Sequence, residues 1–319
     1  MEECANSTGN MFFISAFSFT QTGQCLLFIA VLVIYVMAIL GNMTIVLLVC
    51  LVPQLHTPMY FFLSNLAIND VIFVSVTLPK LLSILLTHDH WMSFSACMTQ
   101  VFFFPLSGYC DMFLLTSMSY DRYVAICKPL QYSLLMRKDV CIALALFTWL
   151  ISVTNATINL LSASLLSYCL TQNVDHFFCD QKALYLITSS DVTGRYILML
   201  CQDVLLAFFP FLLIITSYVF IISTILKIRS SEGRLKAYSS CTSHLTTVIL
   251  FYGPIIIIYA KPESEGSKDL DKLLTLVYMA VVPMLNPFVY ALRNKDIFNA
   301  IKNIKRKWNL RAHSTWSFS

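Results

Sequence analysis

The sequence predicts an all-α membrane protein, a seven-transmembrane helix bundle with a short amphipathic cytoplasmic helix behind it. Three observations carry that expectation. Hydrophobic residues make up 58% of the 319 and charged residues only 12%, where a soluble domain carries roughly 25% charged residues. Seven stretches reach the about 20 mainly apolar residues needed to cross a hydrocarbon core roughly 30 Å thick. Lysine and arginine are divided unevenly between the segments that join them. The net charge of +4 is neither blocked nor interleaved with aromatics, so nucleic acid is not an expected partner.

The elements follow in order. Residues 1–23 form an extracellular N-terminal tail, 24–292 the seven-span bundle, and 293–319 the cytoplasmic amphipathic helix and C-terminal tail. Glu2 and Glu3 stand where a cleaved leader would carry basic residues. Asn6 opens an Asn-Ser-Thr glycosylation acceptor in that tail. Residues 24–51, 141–168, 204–226, 237–260 and 273–292 contain no Asp, Glu, Lys or Arg. Residues 58–86 carry Asp70 and Lys80, and 96–120 carry Asp111, as polar interruptions in long apolar runs. Fifteen of the 21 lysines and arginines follow the third, fifth and seventh stretches, which makes those segments cytoplasmic. The N-terminus is then outside, in a multi-pass plasma-membrane topology. The first inner loop, LVPQLHT, has no basic residue but is too short to reverse the count.

Ionisable groups in a bilayer are functional candidates by default, which singles out Asp70, Asp111 and Asp203. With Asn42, Ser119 and Asn286, the first two would form a polar, sodium-like cluster, either holding water or a cation or serving only as interhelical hydrogen bonds. Asp121 and Arg122 are adjacent at the inner end of the third span. Neighbours on a helix do not face each other, so Arg122 is expected to be held loosely, as a releasable latch or as an interface arginine that snorkels. Pro287 removes a backbone donor, and Asn286 is placed to satisfy the freed carbonyl. Cys25, Cys50, Cys141 and Cys201 lie in apolar runs as packing residues. Cys97, Cys169 and Cys179 flank polar segments where a disulfide is permitted. No GxSxG or HExxH points to an enzyme, and no internal repeat or broken-helix pair points to a transporter. No cofactor and no metal site are expected.

The strings MSYDRYVAIC (118–127) and PMLNPFVYALRNKD (283–296), with Gly41, Asn42 and Asp70, resemble the DRY, NPxxY, GN and Asp elements of rhodopsin-like receptors. LHTPMYFFLSNLAIND (55–70) and KAYSSCTSHL (236–245) sharpen the resemblance to the odorant receptors of that class. The resemblance implies activation and G-protein-coupling roles for Asp121, Arg122, Tyr123, Tyr218, Asn286, Pro287 and Tyr290. It also implies a Cys97–Cys179 disulfide pinning the second outer loop to span three. Ser189 stands where these receptors commonly carry a further cysteine, which leaves Cys169 without its usual partner. Asp111 replaces a more usual Glu, and Pro254 after FYG should kink span six.

The resemblance further implies a small-molecule odorant and a heterotrimeric G protein of the olfactory Gs type as partners. The alternative is a non-olfactory receptor of this class for another small molecule, lipid or peptide. Helical phase places Phe104, Gly108, Tyr109 and Met112 on one face of outer span three, and Gln202, Asp203 and Leu206 on one of span five. Tyr252, Ile255 and Tyr259 recur at helical spacing in span six, and Leu276 and Met279 complete a wall from span seven. These residues are either the lining of a mainly apolar pocket or ordinary helix packing. Phe104 stands where amine receptors carry Asp, and Ala280 where opsins carry the retinal lysine. Residues Asp296 to Trp308 place Ile297, Phe298, Ile301 and Ile304 on one face, suited to an anionic lipid surface.

Overall fold

The structure is a computed structural model that describes residues 11–17, 19–168, 172–260 and 268–293. The Asn6 acceptor, Cys169 and the amphipathic segment Asp296 to Trp308 lie outside the described residues. Among the described residues, seven helices are long and apolar enough to cross a membrane. Span one is Gln21–Leu51, span two Pro58–Thr87, span three Phe94–Cys127 and span four Lys138–Ser164. Span five is Thr193–Leu226, span six Ser231–Ile257 and span seven Leu270–Tyr290. At 1.5 Å per residue the 34 residues of span three extend about 50 Å, so its ends project beyond the roughly 30 Å hydrocarbon core. The helix starts are written locally: the hydroxyls of Thr20 and Ser93 cap spans one and three, and Pro58 opens span two, where a missing N–H costs nothing.

The bundle is inverted relative to a water-soluble protein. Leu26, Leu40, Leu47, Leu150 and Phe220 face outward, while Asn42, Asn69, Asp70, Asp111, Ser119 and Asn286 are buried. In water such an apolar girdle would mark an interface; around seven spans it is the lipid surface.

Buried polar groups tie the helices together. Pro287 cannot donate to the carbonyl four residues earlier, and that carbonyl, Pro283 O, accepts instead from Asn42 Nδ2 of span one at 2.9 Å. Asn42, not Asn286, therefore satisfies the backbone that Pro287 frees. Asn286 is committed elsewhere, donating to Asp70 Oδ2 at 2.9 Å. Trp149 Nε1 donates to Asn65 Oδ1 at 3.1 Å, joining spans four and two. Lys80 reaches out of the apolar region and donates to the carbonyls of Asp89 and Trp91 at 2.9 and 2.6 Å. Spans five and seven each contain a π-helical turn, at Val204–Phe208 and Val277–Val281, which helical periodicity did not anticipate. Span six runs as helix through Pro254.

The end of the bundle that carries Cys97 and Cys179 has a roof. Strand β1 (Met11–Ile14) pairs antiparallel with β2 (Trp91–Ser93) and parallel with β3 (Asn173–Val174). The segment before span one is thus partly sheet, not an unstructured tail. The buried Lys272 Nζ of span seven locks it, donating to Ser15 O, Ala16 O and Asp175 Oδ1 at 2.9, 3.0 and 2.7 Å.

Spans one and seven cross closest at Gly41, where an added Cβ would lie 3.0 Å from Pro287 Cγ. Gly41→Val is expected to separate the two spans and weaken the Asn42–Pro283 hydrogen bond. Overpacking of this kind destabilises by about 1–3 kcal/mol. A thermal-unfolding midpoint of purified protein that matches the parent would contradict this account.

Candidate functional site

Beneath the roof, aromatic rings form one continuous chain. Phe17 stacks on Phe177 at 5.6 Å between ring centroids, Phe177 meets Phe178 at 5.3 Å, and Phe178 meets Phe104 of span three at 4.6 Å. Phe104 then meets Phe73 at 5.6 Å, Phe73 meets Tyr278 at 5.7 Å, and Tyr278 meets Phe251 at 5.4 Å. Phe251 meets Tyr252 at 5.1 Å, and Tyr252 meets Phe211 of span five at 4.8 Å. Rings at these separations hold each other edge to face or offset, so roof, spans two, three, five, six and seven share one aromatic wall.

Phase had singled out two links of that chain, Phe104 and Tyr252. Phe17, Phe177, Phe178, Phe73, Tyr278, Phe251 and Phe211 were missed, because which rings meet is set by how the helices pack and not by spacing within any one of them. The HFFC string carried the only signal for Phe178. Gly108 leaves space beside Tyr278, whose hydroxyl would lie 3.2 Å from an added Cβ. Tyr109 donates to Asp203 Oδ1 at 2.5 Å, tying span three to span five. Met112, Leu276 and Met279 are buried, and Leu206 and Ile255 are half-buried against the core. Gln202 is half-buried beside Asp203. The side chain of Tyr259 lies outside what the structure describes. The Tyr252 hydroxyl is buried without a hydrogen-bond partner.

The loop above the site is anchored as the resemblance implied. Cys97 and Cys179 are joined as a disulfide. Gln100 of span three reinforces the joint, accepting from Cys179 N at 2.9 Å and donating to Val76 O at 3.0 Å.

Midway along the bundle the polar cluster assembles differently from expectation. Asn69, which the sequence did not single out, donates to Asp111 Oδ1 at 2.6 Å and to Ser107 O at 2.9 Å. Asp70 is reached by Asn286. Asn42 and Ser119 spend their hydrogen bonds elsewhere, Asn42 on Pro283 O and Ala38 O, and Ser119 on Thr116 O of its own helix. Back-bonding to the carbonyl one turn earlier is a ready alternative for a helical serine. Asp70 Oδ1, Asn69 Oδ1 and Asn286 Oδ1 remain buried without hydrogen-bond partners.

At the opposite end Arg122 is held more firmly than adjacency suggested. Its Nε and Nη2 both donate to Asp121 Oδ2, at 3.1 and 2.6 Å. The arginine side chain is long enough to fold back on its neighbour, which the i,i+1 rule for short side chains does not cover. Asp121 Oδ1 accepts from Tyr132 at 2.7 Å. Arg122 Nη1 donates to Ser240 Oγ of span six at 2.9 Å. One turn further along span six, His244 bonds Tyr218 of span five at 2.8 Å and Leu115 O of span three at 3.0 Å. Tyr290 is buried, and Tyr123 packs against Phe220 of span five.

His176 in the roof is buried between Phe177 and Phe178. Burial, with Lys272 nearby, pushes its imidazole down to about 3 although Asp175 acts the other way. A histidine held below its ordinary 6.5 stays neutral in the fold, whereas the unfolded loop takes up a proton below about pH 6.5. Its stability contribution is therefore complete above 6.5 and is lost as pH falls toward 3, by roughly 2 kcal/mol at pH 5. Hydrogen exchange at residues 11–17 and 173–179 should accelerate between pH 7.4 and 5, after correction for intrinsic rates, and His176→Gln should remove most of that acceleration. An unchanged pH response in the variant would refute the assignment.

Comparison with known proteins agrees with this architecture. The family described as olfactory receptor matches residues 31–307. Olfactory receptor 1J21 of Mus musculus is 43% identical over 302 residues, 95% of this chain and 97% of the relative. Olfactory receptor 13C9 of Homo sapiens is 39% identical over 302 residues, 93% of this chain and 95% of its own. Olfactory receptor 1E16 of Mus musculus is 42% identical over 289 residues, 90% of this chain and 92% of its own. With seven apolar spans, a disulfide-anchored loop and kinship along nearly its whole length, the chain belongs to the olfactory receptor family of G-protein-coupled receptors, membrane receptors rather than enzymes.

Proposed function

We propose that this receptor binds a small, volatile, mainly apolar odorant between the roof and Tyr252, and answers by activating an olfactory Gs-type G protein that raises cAMP. The N-terminus and disulfide end face outward, and the C-terminus and Arg122 end face the cytoplasm. The excess of lysine and arginine at the Arg122 end supports that orientation. The observation that carries the reading is mechanical: span six joins Tyr252, on the aromatic wall, to Ser240, bonded to Arg122. They stand twelve positions apart, about 18 Å along the helix.

A ligand shifts the receptor only as far as it prefers one arrangement over the other. One that fits better when Tyr252 moves therefore also displaces Ser240. Arg122 is then released, and the Tyr218–His244 bond must break or follow. The freed space, bordered by the basic segments 128–138 and 227–236, takes the C-terminal helix of a G-protein α subunit. Tyr123, Tyr290 and the Asn286–Pro287 bend complete the moving end. The acceptor-rich cluster of Asp70, Asp111, Asn69 and Asn286 holds water or sodium in the resting arrangement, since its unpartnered oxygens call for a donor or a cation.

A cAMP reporter screened over chemically diverse volatiles tests the reading, with surface-labelled Arg122→Ala as control. Arg122→Ala is expected to abolish the response. Ser240→Ala removes one hydrogen bond to a charged group, worth about 1.5–3 kcal/mol, and is expected to raise basal cAMP at least about tenfold. Ligand responses that survive Arg122→Ala would refute the coupling role. Replacing choline by sodium in the medium should lower agonist potency in the parent but not in Asp70→Asn; equal sodium effects in both would remove the ion from the account.

A further inference from the structure

Where the second outer loop meets spans two and three, the same three partners touch at two successive levels. Nearer the disulfide the contacts are polar. Cys179 N of the loop donates to Gln100 Oε1 of span three at 2.9 Å, and Gln100 Nε2 donates to Val76 O of span two at 3.0 Å. The next level is made of rings: Phe178 of the loop meets Phe104 of span three at 4.6 Å, and Phe104 meets Phe73 of span two at 5.6 Å. Phe178 directly precedes Cys179, Phe104 lies one turn from Gln100, and Phe73 lies three residues from Val76. Residues three and four apart share a helix face, so Gln100 and Phe104 look toward the same neighbours.

The two levels differ in how sharply they fix a geometry. Aromatic rings hold each other over a range of separations and tilts, whereas a hydrogen bond weakens steeply as its angle departs from linear. The Cys97–Cys179 disulfide ties the loop to span three at one point, and one tie leaves the chain free to turn about it. The bond from Cys179 N to Gln100 is a second tie on the same residue. It fixes the direction in which the backbone passes Cys179 and therefore where Phe178 stands. Cys97, Gln100 and Phe104 recur at three and four along span three, so disulfide, amide and ring form one stripe against the loop. Gln100 is 3% and Cys179 1% exposed, which leaves water little access to either bond. The uncharged carboxamide carries an acceptor and donors on one planar group, so a single side chain holds loop and span two together. Val76 stands in the turn that Pro79 interrupts, since proline has no N–H to donate and its ring crowds the preceding turn. Span two is least constrained by its own ladder there, and Gln100 adds a constraint from span three.

We propose that Gln100 is a positioning residue of the odorant site: by holding Cys179 N and Val76 O together it sets Phe178 and Phe73 on Phe104, and so tunes how strongly a ligand is read. The inference rests on the reading of the aromatic wall as the odorant site. Gln100 acts through the rings and not on the ligand. Without its amide, Cys179 N loses its acceptor in a buried setting, and the loop gives way at Phe178 while the disulfide persists. Arg122 lies 22 positions further along span three, about 33 Å away. Coupling at that end is untouched, so potency changes and the maximum response does not.

The test uses the full-length receptor, in cells with surface labelling and the cAMP reporter, and purified for hydrogen exchange at pH 7.4. Gln100→Met keeps the length of the side chain and removes both hydrogen bonds. Volatiles active on the parent should lose about tenfold in potency at an unchanged maximum, the scale expected when a buried backbone donor is left unpaired. Exchange at residues 173–180 should accelerate in the same variant. In a Phe178→Leu background Gln100→Met should cost less than about twofold, because two changes that act through one ring are not additive. A merely structural role predicts a lower surface level and a lower maximum, with the same fractional loss of potency in both backgrounds. That pattern, or a parent-like potency in Gln100→Met, overturns the proposal. Should Gln100→Met fail to reach the surface, exchange in the parent decides, and a Cys179 amide that exchanges as fast as an unprotected loop amide overturns it. If the parent is silent to every volatile, the odorant reading fails and exchange alone judges the seating of the loop. Acceleration at 173–180 in Gln100→Met then keeps the seating, and unchanged exchange sinks it as well.

Discussion

The hydrocarbon core of a membrane offers no hydrogen bonds, and this constraint organises the whole structure. Every polar group placed there must find a partner in the protein or remain costly. The chain meets it by exchanging partners between helices. Pro287 denies a donor to Pro283 O, and Asn42 of span one supplies it; Asn286, which could have done so, is turned to Asp70 of span two. Asn69 carries span two to Asp111 of span three, and Trp149 carries span four to Asn65 of span two. Because each bond joins different helices, they fix which faces meet, where apolar packing alone is permissive. In lipid the hydrophobic effect supplies little preference for one helix face over another.

Span three is the element that runs through every level of the site. Its upper part carries Cys97 and Gln100 against the loop, and then Phe104 and Tyr109 in the aromatic chamber. Its middle carries Asp111, and its lower end Asp121 and Arg122. Span six touches it at both levels, through the Tyr252 wall above and the Ser240 and His244 bonds below. The lower bonds are few and polar, and the upper contacts are rings with an unpaired hydroxyl among them. On the proposed mechanism, a bundle so arranged is firm at spans one, two and seven and adjustable at span six.

The roof closes the disulfide end of the bundle. Its sheet is tied by backbone pairing and by Lys272, while its rings continue into the chamber through Phe177 and Phe178. On the proposed reading, a ligand below it is shielded from water on the disulfide side. Shielding strengthens the few polar contacts it makes, because the same hydrogen bond is worth more where the dielectric is low.

The spans were legible in the sequence because their requirement is one-dimensional: a run of about 20 apolar residues needs no knowledge of its neighbours. The Arg122 and Pro287 elements and the family were legible for a similar reason, as each is carried by contiguous residues, and the Cys97–Cys179 pairing came with the resemblance. Asn69 was overlooked because one amide in a polar run looks like any other until the facing helix shows Asp111. Asn42 and Asn286 had their partners interchanged, since the choice depends on which face of span one meets span seven, and Gly41 allows that approach. The π-turns and the β1 strand depend on partners far along the chain, so no local pattern announces them. What the sequence alone determined is the number of crossings, the uneven division of basic residues between their ends and the chemistry available at each level. The tertiary structure alone decided which buried donor meets which acceptor, because between helices in lipid that pairing is settled by geometry rather than by composition.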